Sequence, residues 1–141
     1  MVYLVLYKTD WRSWVSILIS LGTFSRYTHS VIQVGDRIFE ASGSRRTVGW
    51  QDASIHKGRI KRATKLPISA AKAEAILNKY DGMKYDIKAL KWWMFALQDD
   101  SKVYCFEVCW AFLYESDLLQ LGAPKKMRRY TARKLLKRLT R

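Results

Sequence analysis

The sequence predicts an α+β protein in which a small antiparallel sheet packs against helices. Short apolar or alternating runs separated by turn residues dominate the first half, which indicates strands. Runs with apolar residues three and four positions apart dominate the second half, which indicates helices. The 141 residues are 49% apolar and 13% aromatic, so the chain is long and apolar enough to form one folded domain with a real core.

The first two predicted elements are a strand and a helix. Residues 2 to 7 form an apolar run of strand length, and the polar residues Lys8 and Asp10 follow it. Large apolar residues then recur at helical spacing, which predicts an amphipathic helix over residues 11 to 21. These residues are Trp11, Trp14, Val15, Leu18 and Leu21.

A β-hairpin follows, and its turn determines which side chains share a face. Gly35-Asp36 is a two-residue turn with glycine first, a type favoured in tight hairpins. Because faces alternate along a strand, His29 and Glu40 become diagonal neighbours, roughly 7–8 Å apart at the backbone. Gln33 lies on the same face and is a candidate for a substrate pocket. The predicted pairs are Val34 with Arg37, Ile32 with Phe39, Val31 with Glu40, and His29 with Ser42.

Three elements are predicted between the hairpin and residue 100. Residues 58 to 66 alternate basic and other side chains, and they predict a strand that ends at Pro67. Ser69 is a suitable N-cap for a helix that Gly82 closes. Apolar residues at helical spacing predict a second helix over residues 87 to 97. The apolar face of the first helix consists of Ala70, Ala73, Ile76, Leu77 and Tyr80.

The run from 103 to 114 is apolar nearly all round, which predicts a buried helix capped by Asp99, Asp100 or Ser101. Cys105 then falls in its first turn, where the backbone N–H groups and the macrodipole stabilise a thiolate and could bind a developing oxyanion. Cys109 lies one turn beyond on the same face and is interpreted as a core residue.

These residues suit acyl-transfer chemistry, which needs a thiolate, a base and a group that orients the base. Cys105 is the candidate nucleophile, His29 the candidate base, and Glu40 the candidate carboxylate that holds the imidazole tautomer. The simpler interpretation of Cys105 is a small buried hydrophobe. His56 lies in a polar loop and is expected to be solvated. A zinc site from both cysteines and both histidines is conceivable, but the Cys-x3-Cys spacing without a second clustered pair disfavours it, so no metal is expected.

Four short motifs give the chain a family resemblance. They are the strand with His29, the strand Ile38-Phe39-Glu40-Ala41, the segment Lys84-Tyr85-Asp86, and Tyr104-Cys105-Phe106-Glu107-Val108 at the start of a helix. Together they resemble the circularly permuted NlpC-type papain-like cysteine hydrolases, a superfamily that includes bacterial amidase-like proteins and relatives of lecithin:retinol acyltransferase. In that group the histidine precedes the cysteine, as it does here.

The resemblance covers most of residues 1 to 124. It implies a permuted papain-like fold with Cys105 as nucleophile, His29 as base and Glu40 as the third polar group. It also implies that Tyr85 and Tyr104 line the substrate pocket. Relatives commonly carry serine directly after the cysteine, whereas this chain carries Phe106, and this departure bears on the shape of the pocket.

Charge is the second strong signal, and it is unevenly distributed. The net charge is +14, yet residues 1 to 124 hold 17 basic and 12 acidic residues, a balance of +5. Residues 125 to 141 hold nine basic residues and no acid, and they predict an amphipathic helix packed on the same domain through Leu135, Leu136 and Leu139. Its basic face is a candidate surface for nucleic acid, an anionic membrane or a cell-wall polymer, unless it is only solvated. That face carries Arg133, Lys134, Lys137 and Arg138.

The sequence therefore predicts a thiol-dependent hydrolase or acyltransferase that cleaves an amide, ester or thioester and needs no cofactor. Its substrate would be a peptide, a lipid or an acyl-protein. The alternative is a non-catalytic basic module on a papain-like scaffold that binds nucleic acid or a host protein. The sequence shows no signal peptide or spanning segment, and its two cysteines give no disulfide framework. A cytoplasmic protein of a bacterium or bacteriophage is expected.

Overall fold

The computed structural model describes residues 1–12, 16–17, 26–42, 45, 47–59, 61–85, 102–103 and 105–118. Strands in these ranges form one sheet with helices packed on it. The strands are β1 (Val2–Lys8), β2 (Tyr27–Val34), β3 (Arg37–Ser42), β4 (Thr47–Asp52), β5 (Lys61–Leu66), β6 (Lys84–Tyr85) and β7 (Lys102–Val103). The helices are α1 (Ala70–Leu77) and α2 (Cys105–Glu115), with short 3-10 helices at Ala53–His56 and Asn78–Tyr80.

The sheet has the order β5-β1-β2-β3-β4-β6-β7. Neighbouring strands are antiparallel from β5 through to β6, and β7 runs parallel to β6. This arrangement confirms the predicted α+β class and the antiparallel character of the main sheet. Among the described residues, no helix is long and apolar enough to cross a membrane.

The hairpin of β2 and β3 begins as predicted and then departs from the predicted register. Gly35 has a φ of 59°, the left-handed value that glycine adopts readily at a tight turn. The strands pair through Val34–Arg37, Gln33–Ile38 and Ile32–Phe39. Within the described part of the chain, their pairing ends there, so the predicted pairs of Val31 with Glu40 and of His29 with Ser42 are wrong. Beyond that point β2 stays on β1 and β3 stays on β4, because His29 pairs with Tyr7 and Glu40 pairs with Gly49.

The two faces of the sheet bury different clusters, since side chains alternate along each strand. One face packs against α1 and α2 and forms the larger core, which includes Leu6, Ile32, Phe39, Phe112 and Leu113. The other face buries Val5, Tyr7, Val31 and Ile38, with Ala53 of the 3-10 helix packed against them. Burial of each large apolar side chain contributes about 1.5–3 kcal/mol to stability.

Helix α1 starts where the sequence predicts. The Ser69 hydroxyl accepts a hydrogen bond from the Lys72 N–H at 3.3 Å, which is an N-cap interaction. Regular helix ends at Leu77, and a 3-10 turn leads to Gly82, whose φ is 82°. The predicted apolar face is only partly buried. Ala73, Ile76 and Leu77 are buried, Tyr80 is half-buried and Ala70 is exposed.

Two predicted boundaries are wrong. Strand β5 begins at Lys61 rather than at residue 58, because a turn with Gly58 at φ 85° precedes it. Helix α2 begins at Cys105 rather than at residue 103, because Lys102 and Val103 pair with β6 as a strand. The predicted helices at 87–97 and 125–141 lie outside the described residues. Of the helix predicted at 11–21, Ser16 and Ile17 are helical, and Trp11 lies in an exposed turn.

Leu113 anchors α2 on the sheet, so we expect Leu113→Ala to lower the free energy of unfolding by about 2–5 kcal/mol, the usual cost of emptying a buried leucine site. Leu113 is fully buried, whereas its neighbour Tyr114 is 41% exposed. Urea unfolding followed by circular dichroism measures both variants. Tyr114→Ala is the control and should change stability much less. Equal losses in the two variants would contradict this packing of α2.

Candidate active site

The buried carboxylate of Glu40 is the centre of a polar cluster on β3, with only 3% of its side chain exposed. Its Oε2 atom lies 2.7 Å from His29 Nε2 and 2.7 Å from His56 Nε2. Its Oε1 atom accepts a hydrogen bond from Arg45 Nη2 at 2.7 Å. Burial alone would raise the pKa of Glu40, but the hydrogen bonds from the two histidines outweigh burial and hold the pKa well below its ordinary value of 4.5. Glu40 is therefore ionised at neutral pH.

His29 lies between this carboxylate and Cys105. Burial lowers the pKa of His29, but hydrogen bonds with the Cys105 thiol and with Glu40 outweigh that effect and raise the pKa to about 9. His29 is therefore an imidazolium at neutral pH. The structure thus brings together the three residues that the sequence predicts as nucleophile, base and orienting group.

Cys105 is the first residue of α2, as expected for a thiol that the helix N-terminus can influence. It is 1% exposed, whereas His29 and His56 keep 17% and 14% of their side chains exposed, so the cluster is open to solvent on the imidazole side.

The second cysteine has a different environment. Cys109 lies one turn further along α2 and is as buried as Cys105. Burial raises the pKa of Cys109 far above its ordinary value, and the neighbouring Ser30 side chain offsets this only in part. A thiol in that state is inert towards electrophiles. The expected assignment of Cys109 to the core agrees with this environment.

His56 is the member of the cluster that sequence reasoning missed. It ends the 3-10 helix Ala53–His56, which Asp52 caps by accepting a hydrogen bond from the Ser54 N–H at 2.8 Å. Arg59 Nη1 lies 3.5 Å from His56 Nδ1. A guanidinium only donates, so Nδ1 is the side of the ring that faces a donor, while Nε2 faces Glu40. The expectation of a solvated His56 is wrong because the capped 3-10 helix folds back over the sheet.

The Tyr7 side chain on β1 packs against both imidazoles and is 2% exposed. Its ring centroid lies 6.1 Å from that of His29 and 4.6 Å from that of His56. The Arg59 guanidinium packs over the same ring at 5.0 Å and donates to the Lys8 carbonyl at 3.0 Å. These contacts hold the histidines in one orientation relative to Glu40.

Other predicted site residues lie elsewhere or outside the described residues. Gln33 shares the predicted face, but it lies beside the hairpin turn, where its amide donates to the Gly35 carbonyl at 2.9 Å. At about 3.3 Å per residue, it is roughly 13 Å along β2 from His29. Tyr85 lies on β6 and Phe106 on α2, and the structure describes only their backbones. Tyr104 and the basic residues of the C-terminal segment, Arg133, Lys134, Lys137 and Arg138, lie outside the described ranges.

His29, Glu40 and His56 also place their ligand atoms within 4.8 Å of one another, a spacing that a divalent metal ion could bridge. This set differs from the two-cysteine site considered from the sequence. Two features oppose a metal here. Arg45 on Glu40 and Arg59 beside His56 are cations that repel a dication, and the same three ligand atoms already hydrogen-bond one another at 2.7 Å. The described contacts therefore favour a hydrogen-bonded network.

Comparison of the chain with protein-family models, curated proteins and solved structures gave no match. Function is therefore inferred from the geometry of the cluster.

The ionised pair of Glu40 and His29 predicts a specific pH dependence of stability. Because the pKa of His29 is raised, its charge contributes to the stability of the fold. This contribution is complete below about pH 6.5 and is lost as the pH rises through about 9. Because the pKa of Glu40 is lowered, its charge also contributes to stability. This second contribution is complete above about pH 4.5 and is lost at lower pH. We expect Glu40→Gln to lower the free energy of unfolding by about 3 kcal/mol, the usual cost of breaking a buried ion pair. The loss should be largest between about pH 4.5 and 6.5, where both contributions are complete. Urea unfolding at a series of pH values measures it.

Glu74→Gln is the matched control for this experiment. Glu74 also pairs with an arginine, Arg37, at 2.7 Å, but its side chain is 38% exposed. An exposed pair contributes only about 0–1 kcal/mol. A loss in Glu40→Gln that did not shrink between about pH 6.5 and 9 would contradict the assignment of charge to His29.

Proposed function

We propose that the protein is a thiol-dependent hydrolase or acyltransferase that acts on an amide, ester or thioester. The observation that carries this proposal is the pairing of Glu40 Oε2 with His29 Nε2 at 2.7 Å, together with the interaction with the Cys105 thiol that helps to raise the pKa of the same imidazole. Nucleophile, base and orienting carboxylate are the parts that thiol-based acyl transfer requires.

Each group has a defined role in the proposed reaction. The Cys105 sulfur attacks the carbonyl carbon, and the electron pair of the C=O bond moves to oxygen near the N-terminus of α2. The imidazolium of His29 gives its proton to the leaving nitrogen, oxygen or sulfur as the bond to that group breaks. His29 then takes a proton from water, or from an acceptor alcohol or amine, which attacks the acyl-enzyme and releases Cys105. Glu40 stays ionised throughout and holds the imidazole in place.

We further propose that residues 1 to 124 adopt a permuted papain-like fold. The chain order supports this proposal, because a strand-borne histidine precedes a cysteine at the start of a helix. The orienting carboxylate lies on the next strand, as the family resemblance implies. The proposed substrates are a peptide, a lipid or an acyl-protein.

A second candidate function is a non-catalytic basic module that binds nucleic acid or a host protein. Two observations favour it, namely the 1% exposure of Cys105 and the net charge of +14. Reactive cysteines are usually partly exposed, whereas buried structural ones are inert. The basic segment 125–141 would then supply much of the binding surface. The reactivity of Cys105 separates the two functions.

Alkylation by iodoacetamide near neutral pH tests the proposal without a known substrate. The chain has two cysteines, so Cys109→Ala leaves only Cys105 to react and Cys105→Ala leaves only Cys109. We expect Cys105 to react at least roughly tenfold faster than Cys109, because only a thiolate reacts and burial raises the pKa of Cys109 far above its ordinary value. Mass spectrometry of the intact protein over time gives both rates.

Two further variants, made in the Cys109→Ala protein, show whether the network drives that reactivity. His29→Ala should slow alkylation of Cys105 strongly, and Glu40→Gln should slow it less, because an orienting group contributes less than the base. Turnover of p-nitrophenyl acetate should follow the same order and vanish in Cys105→Ala. Slow, equal labelling of both cysteines would support the binding module instead.

A further inference from the structure

We infer that the candidate active site takes acyl substrates that carry an anionic group, a carboxylate or a phosphate, close to the reacting carbonyl. This inference rests on the proposed function and specifies its substrate class. It comes from cations beside the cluster that no acid of the described residues neutralises.

Arg59 is the first of these cations. Its guanidinium is held by the Tyr7 ring at 5.0 Å, the Lys8 carbonyl at 3.0 Å and the His56 Nδ1 atom at 3.5 Å. None of these partners is an acid, and no carboxylate within the described ranges forms an ion pair with Arg59. A guanidinium has five N–H donors in a planar fork, so Arg59 retains donors for an incoming anion.

Lys61 is the second cation, and the sheet register places it beside the cluster. Lys61 on β5 pairs with Tyr7 on β1, and Tyr7 pairs with His29 on β2. Side chains of directly paired residues project from the same face, with Cβ atoms about 4.5–5.5 Å apart. Lys61, Tyr7 and His29 therefore form a row across three strands. Lys61 is exposed and forms no ion pair with a described acid.

The nearby acid does not offset these cations. Glu40 is the carboxylate of the cluster, and its two oxygens already bind His29, His56 and Arg45. A substrate with a negative group would gain charge-assisted hydrogen bonds to Arg59 and a favourable interaction with Lys61. A neutral substrate would gain neither interaction. The site therefore favours the anionic substrate.

A pair of alkylating reagents tests this preference directly. Iodoacetate and iodoacetamide deliver similar electrophiles to a thiolate, but only iodoacetate carries a negative charge. The ratio of their rate constants at Cys105, measured in the Cys109→Ala protein, reports the cationic surroundings, and the iodoacetamide rate corrects for changes in the thiol itself. We expect Arg59→Gln to lower the ratio roughly fivefold, the effect of one unit charge at about 4 Å in water. Lys61→Gln should lower it by a smaller factor, because Lys61 lies two strands from His29 and salt screens its charge.

Lys65→Gln is the matched control. Lys65 lies on the same strand and the same face as Lys61, since it pairs with Tyr3 of β1, and the substitution removes the same charge. It is four residues away, about 13 Å, which exceeds the Debye length of about 8 Å at 0.15 M salt. Lys65→Gln should leave the ratio unchanged. An unchanged ratio in Arg59→Gln and Lys61→Gln, or an equal fall in Lys65→Gln, would overturn the inference.

The reagent pair also separates this inference from the proposed function. If iodoacetamide labels Cys105 rapidly and the ratio does not respond to Arg59 and Lys61, then the thiol chemistry stands and the anionic substrate class fails. If neither reagent labels Cys105 faster than Cys109, the proposed function fails, and the substrate class fails with it.

Protection experiments distinguish the two kinds of anion. Glutarate and inorganic phosphate are each added before iodoacetamide, and the slowing of Cys105 labelling is measured. Stronger protection by glutarate assigns a carboxylate substrate, stronger protection by phosphate assigns a phosphorylated one, and either effect should weaken in Arg59→Gln. Absence of protection by both anions would overturn the inference.

Discussion

The buried charge of Glu40 is the constraint on which the rest of the site depends. An ionised carboxylate that is 3% exposed is costly unless charged or strong donors surround it. Glu40 receives three, from His29, His56 and Arg45, on three different segments of the chain. Meeting this requirement holds the imidazole of His29 in one orientation and keeps it charged. It also fixes the 3-10 helix that carries His56 against the sheet.

The pairing of strands β2 and β3 determines how His29 and Glu40 meet. Strands β2 and β3 pair near their turn and then follow different neighbours, so His29 and Glu40 meet through their side chains after backbone pairing has ended. Both cysteines of helix α2 belong to the larger core, but only Cys105 contributes to the raised pKa of His29. Two thiols four residues apart thus have different surroundings, because only one of them interacts with an imidazole.

The parts of the site that sequence reasoning found are those that local rules determine. Gly35 sets the start of the hairpin, and alternation along the strands places His29 and Glu40 on one face. The same alternation predicted the face on which Gln33 lies, but it could not predict how far Gln33 is from His29. Gln33 lies beside the turn. The position of His56 depends on contacts with Glu40, Tyr7 and Arg59 that are distant in sequence. Strand β7 was missed because it has two residues and pairs in parallel with another short strand.

The charge on His29 is the most direct test of the account, because it requires both an ionised Glu40 and a hydrogen-bonded Cys105. The ¹⁵N NMR spectrum of histidine-labelled protein at about pH 7.5 reports whether each ring nitrogen carries a proton, and an ordinary histidine is mostly neutral there. The chain has two histidines, so His56→Gln assigns the signals. The account predicts that both nitrogens of His29 are protonated in the unmodified protein. A neutral His29 at that pH would contradict it.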